Sequence, residues 1–136
     1  MSTSSLPPFC AWVGLDWADK KHDICLRAAD ATTVERSVLK HDAATIDQWA
    51  QGLRERFAGQ PVAVCLELSR GPIVSALLKY DFLVLFPINP TNLARYREAF
   101  VPSGAKDDPT DAELALELVM RHPERFNPLK PQSATM

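Results

Sequence analysis

Residues 61–68 read "PVAVCLEL", an apolar run broken only by its first proline and by Glu67. A strand with one wet face alternates polar and apolar residues. A nearly continuous run of strand-forming residues belongs instead to a strand covered on both faces, in the middle of a sheet with helices above and below. "FLVLF" at 82–86 repeats the pattern. Two such runs separated by helical sequence describe parallel neighbours joined by a crossover helix.

The sequence before them behaves differently. "CAWVGLDW" is rich in β-formers and aromatics, "HDICLRAAD" alternates around Ile24, Leu26 and Ala28, and "TTVERSVLK" is more polar. Short polar turns join the three segments, so they predict an antiparallel meander. The period then changes. In "DAATIDQWAQGLRERF", Ile46, Trp49, Ala50, Leu53 and Phe57 share one helical face. "SRGPIVSALLKY" reads as a short helix. "NPTNLARYREAF" reads as another, with Asn89 as its N-cap and Pro90 at its first helical position. "VPSGAK" is a loop leading to a last helix from "DDPTDAELALELVMRH". The expected order is β-β-β-α-β-α-β-α-α, an α/β mixed sheet with helices on its faces.

At 136 residues the chain is long enough for one domain with its own core. Residues 1–9, Ser- and Pro-rich, read as a disordered leader, 10–126 as the domain, and 127–136 as a tail. Ser133 in that tail is placed to cap a further helix. The formal net charge of −2 advertises no large basic field for nucleic acid. It does not exclude an enzyme that grips nucleic acid through metal ions or another domain. Cys10, Cys25 and Cys65 are far apart, with no zinc-ligand spacing, and suit a reducing compartment. The sequence has neither a signal-peptide pattern nor an apolar run of membrane-spanning length, which points to the cytoplasm.

The chemistry rests on acids. Asp16 closes the first strand beside Gly14 and Leu15, and Glu67 lies near the end of the first buried strand. Each alone is most simply a solvated or ion-paired strand end. In a sheet of this order, however, these two strands lie side by side. Two carboxylates brought into one apolar site repel unless a divalent cation, or a proton on one of them, removes the conflict. Oxygen ligands without a His or Cys cluster suit Mg²⁺ or Mn²⁺. Asp108 and Asp111 are three apart, so both project from one face of a first helical turn. Ala112, Ala115 and Val119 continue that face toward the sheet. Asp108 before Pro109 is also a natural N-cap, and Asp111 suits the helix dipole. Capping and metal binding can coexist at these positions. Asp107 reads as an outward-facing neighbour.

These segments carry a resemblance. An Asp ending the first strand, a Glu ending a later buried strand and an Asp-x-x-Asp helix resemble the ribonuclease-H-like (RuvC-like) nucleases. More closely, "VGLDWADKKHDICL", "VCLELSRGPIVSALL", "FLVLFPINPTNLARYREA" and "SGAKDDPTDAELAL" resemble the N-terminal domain of the DEDD transposases of the insertion sequence 110 family. The resemblance covers roughly residues 11–122, and its most specific part is the Gly-x-Lys leading to Asp-x-x-Asp-Ala. It departs at "ELSRG", where many members have Glu-x-Thr-Gly, and at Asp107, where Thr is common.

The resemblance implies a sheet of strand order 3-2-1-4-5 with the first three strands antiparallel. It implies a catalytic tetrad at Asp16, Glu67, Asp108 and Asp111 holding Mg²⁺ or Mn²⁺, with Asp16 the main bridging ligand. It implies DNA and a guide (bridge) RNA as partners. It also implies a coiled coil and a C-terminal serine domain, with composite sites formed between protomers. Ser133 matches no motif of that serine domain. Lys20, Lys21, Arg95, Arg97 and Lys106 are candidates for nucleic-acid contact, although each singly is ordinary solvated charge. His22, His41 and His122 lack ligand spacing and read as surface residues, and Trp12 and Trp49 as core.

Two other classes compete. One is a stand-alone nuclease of the Holliday-junction type. The other is a non-catalytic module of the same fold, although an intact tetrad argues against it. "DWADKKHD" lacks the glycine-rich phosphate loop that a sugar-kinase-like ATP site needs.

Overall fold

The structure is a computed structural model and describes residues 9–16, 21–67, 77, 79–100 and 111–122. In chain order these form β1 (Ala11–Asp16), β2 (Lys21–Ala28), β3 (Glu35–Lys40), α1 (Ala43–Arg56), β4 (Val62–Glu67), β5 (Leu83–Ile88), α2 (Pro90–Phe100) and α3 (Asp111–Arg121). The sheet runs β3-β2-β1-β4-β5. β1 pairs antiparallel with β2 and parallel with β4; β2–β3 is antiparallel and β4–β5 parallel. This is the mixed sheet that the meander and the two apolar runs predict, in the strand order that the ribonuclease-H-like resemblance implies. Most of the short helix expected in "SRGPIVSALLKY" lies outside the described residues, although Leu77 within it is buried in the core.

Side chains alternate across the sheet, so each strand contributes to two cores. On one face Val13, Leu15, Val64, Leu66 and Leu85 pack beneath Ile46, Ala50 and Leu53 of α1. On the other, Ala63, Cys65, Phe86 and Ile88 pack with Leu93 of α2 and with Leu114, Ala115, Leu118 and Val119 of α3. Both faces of β4 are therefore dry from Val62 to Leu66, which is why its sequence is apolar up to Glu67. Trp12 and Trp49 are half-buried at the margins of these cores.

α1 starts at Asp42, whose Oδ2 accepts from the Thr45 backbone N–H at 3.1 Å and from the Thr45 hydroxyl at 2.8 Å. It ends with the Gly59 N–H donating to Arg54 O at 2.9 Å, with Ala58 and Gly59 both at positive φ. That is a Schellman stop, and Gly59 accepts its left-handed backbone without a side-chain clash. Asn89 caps α2 as expected, its Oδ1 accepting from the Thr91 N–H at 2.7 Å.

His22 corrects the sequence reading. It is 0 % exposed, not a surface residue, and its Nε2 lies 3.1 Å from Nδ1 of half-buried His41. The alternation of β2 explains this. His22 shares a face with Ile24 and Leu26, and the residue after β3 brings a hydrogen-bond partner to its buried nitrogen. Burial, and secondarily the neighbouring imidazole, lower the pKa of His22. His122 is half-buried against Tyr96, with ring centroids 6.3 Å apart.

Candidate metal centre

Gly14 sets the position of α3. A Cβ added there would stand 2.0 Å from Ala112 O and 2.5 Å from the Leu116 backbone nitrogen. Only a residue without a side chain lets the helix backbone lie directly on β1. Ala112, Ala115 and Val119 are buried beneath the helix, as the sequence pattern predicts.

The first turn of α3 is fixed at three consecutive residues. Ala112 rests on Gly14. On one side Glu113 accepts from Arg36 of edge strand β3. On the other, Asp111 Oδ1 accepts from Nη2 of Arg97 on α2 at 2.6 Å. The N-terminal end of the helix, with its partial positive charge, is thereby held over the sheet near the close of β1.

Asp16 lies two residues beyond Gly14 on the same face of β1, so its carboxylate is on the α3 side of the sheet and is half-buried. The β1–β4 ladder pairs Gly14 with Cys65 and Leu15 with Leu66. Continued by one residue, that register sets Glu67 beside Asp16, and β4 ends there. On the other flank Asp16 faces Asp23 of β2 directly. Asp23 was not singled out from the sequence. The meander register could have found it, because the short turn between the first two strands fixes which residues oppose each other.

Asp16 and Asp111 are thus described with their side chains, and Glu67 by its backbone. Asp108, with its neighbour Asp107, lies outside the described residues. Among the described residues no group of three or more His, Cys, Asp or Glu side chains is arranged to hold a metal ion. Asp16 and Asp111 offer carboxylate oxygens, the donor type that a hard divalent cation takes. Of the cationic candidates, Lys21 and Arg95 are exposed and Arg97 is half-buried against Asp111. Lys20 and Lys106 lie outside the described residues. No helix among the described residues is long and apolar enough to cross a membrane.

Comparison with known proteins agrees with this architecture. Residues 13–136 match the DEDD transposase family of the IS110 type. The chain is 31% identical over 118 residues to y4uE of Sinorhizobium fredii, a protein named as a transposase, covering 85% of this chain and 33% of that protein. It is 30% identical over 135 residues to the mini-circle protein of Streptomyces coelicolor named as the transposase for IS117, covering 98% and 32% respectively. The chain therefore spans about a third of the length of these curated relatives. With the family model covering nearly the whole sheet and α3, the chain belongs to the IS110-type DEDD transposase family.

Proposed function

We propose that this chain is the acidic DNA-cleavage and strand-transfer domain of an insertion-sequence recombinase, with Asp16, Glu67, Asp108 and Asp111 as ligands of Mg²⁺ or Mn²⁺. One observation carries the reading: Asp16 ends β1 on the face where α3 begins, beside the strand that ends in Glu67. Asp111 opens that helix, and the contact of Gly14 with Ala112 keeps it there. A divalent cation held there would supply positive charge against the negative charge that develops on a scissile phosphate. Asp16, held by the central strand, would supply the carboxylate most firmly placed to hold the cation. Asp111 supplies a second from the helix. Lys21 and Arg95, exposed on β2 and α2, contact the phosphate backbone, joined by Lys20 and Lys106.

Residues 10–126 are the domain proper in this reading. Residues 127–136 would lead toward a coiled coil and a serine domain, whose hydroxyl would attack the scissile phosphate in a site shared between protomers, forming a serine–phosphate ester as the phosphate's bond to one deoxyribose oxygen breaks and that oxygen leaves as a protonated hydroxyl. The length of the relatives supports a larger whole protein. A structured guide RNA selects the DNA, and the protein acts in the bacterial cytoplasm on the chromosome. Mn²⁺ titration of this chain, followed by loss of the free-ion electron paramagnetic resonance signal, tests the site. Wild type is expected to bind and Asp16→Asn to lose binding. Equal binding by both rejects the ligand assignment.

A further inference from the structure

Arg97 sits where a nucleic-acid contact is expected, yet its guanidinium is turned onto Asp111. The pair is well aimed, with Nη2 to Oδ1 at 2.6 Å and side chains 34% and 42% exposed. Asp111 begins α3, the helix that packs on β1 through Ala112 and Gly14, and at the end of β1 Asp16 faces Asp23. Such a concentration of negative charge is costly without a balancing cation. Arg97 reaches it from α2, a separate element packed beside α3, so its charge can be withdrawn without disturbing the helix it contacts. The Gly14–Ala112 and Arg36–Glu113 contacts still hold the first turn of α3.

We propose that Arg97 is the resident counter-ion of Asp111: it balances that carboxylate in the cation-free domain and competes with the divalent cation for it. The inference rests on the reading of Asp111 as a cation ligand. A cation arriving at Asp111 meets the guanidinium already there, and the repulsion between them weakens binding until Arg97 turns away. An arginine displaced from Asp111 in this way can pair with a phosphate instead. Loading of the cation and gripping of the DNA backbone are then linked, each favouring the other.

The test is Mn²⁺ affinity of the intact chain without nucleic acid, for wild type, Arg97→Gln, Arg97→Lys and Asp16→Asn, with thermal melts in EDTA as a folding check. Arg97→Gln is expected to bind Mn²⁺ about two- to five-fold more tightly, the range an exposed ion pair contributes. Arg97→Lys, which keeps the charge, is expected to stay near wild type, and the advantage of Arg97→Gln is expected to shrink as salt is raised. Unchanged or weaker binding by Arg97→Gln overturns the proposal, because a guanidinium that merely orients Asp111 would weaken binding when lost. If Arg97→Gln fails to fold, Arg97→Lys decides alone: a marked change in Mn²⁺ affinity overturns the proposal, and affinity near wild type supports it. Loss of binding in Asp16→Asn beside unchanged binding in Arg97→Gln removes the counter-ion role and leaves the cation site standing. Absence of Mn²⁺ binding in every variant removes both.

Discussion

Asp16 and Asp23 stand directly opposite each other across β1 and β2, two carboxylates on the face of the sheet that carries α3. Like charges at directly opposed positions destabilise a strand pair by up to about 1 kcal/mol. Asp23→Asn is therefore expected to raise the melting temperature in EDTA by roughly 1–4 °C at low salt. The same change removes negative charge beside Asp16, so Mn²⁺ affinity should fall. A variant that melts with wild type at low salt would show that the two carboxylates do not feel each other.

Gly14→Ala should be far more damaging than its size suggests. The new Cβ meets backbone atoms of Ala112 and Leu116, which cannot rotate away as a side chain would. α3 must lift from β1, uncovering Ala112, Leu116 and Cys25. Overpacking of this kind costs about 1–3 kcal/mol or more, read as a lower urea midpoint. Mn²⁺ affinity should fall as well, because Asp111 moves with the helix. A variant with the wild-type midpoint would mean that the helix accommodates the methyl group without shifting.

The sequence conveyed the sheet well because its strands differ in environment. "VAVCL", ahead of Glu67, is apolar throughout since α1 covers one face and α3 the other, whereas β3, at the edge, leaves Val38 57% exposed and carries Arg36 and Glu35. α1 was legible from the helical spacing of Ile46, Trp49, Ala50, Leu53 and Phe57, and α2 from Asn89 and Pro90. His22 was not legible. Its burial depends on a register that brings His41 to it, and a polar residue in an alternating strand gives no sign of which face it takes. The ion pair of Arg97 with Asp111 joins two consecutive helices, and it depends on how they pack together, which spacing alone does not give. Asp16 stands at the end of β1 and Asp111 at the start of α3, positions that strand and helix patterns in the sequence mark.

The three thiols should differ in reactivity. Cys65 is fully buried in β4, and burial pushes its thiol far above the ordinary range. Cys25 is buried beneath α3. Cys10 is half-exposed, with its Sγ donating to Pro61 O at 3.1 Å, and burial raises its pKa more modestly. A thiol reagent at pH 8 should label Cys10 first, slowly, with Cys25 and Cys65 reacting only on unfolding. Mass spectrometry of the labelled native protein checks the order. Early labelling of Cys65 would mean that β4 opens readily.

His22 should make the fold sensitive to mild acid. Its folded pKa lies below the ordinary value, because burial and His41 both oppose a charge there. Above about pH 6.5 the imidazole is neutral in the folded and unfolded chain alike, and no stability is at stake. As the pH falls through about 6.5, the unfolded chain takes up a proton that folded His22 still refuses, so unfolding is favoured. The loss continues until the pH reaches the lowered folded value and then levels off. Urea midpoints between pH 7.5 and 5.5 should therefore decline in wild type. His22→Leu removes the titrating group and should flatten that decline, although it lowers stability at pH 7.5 by leaving His41 without its partner nitrogen. Parallel declines in the two proteins would assign the acid sensitivity to other groups and count against a buried, neutral His22.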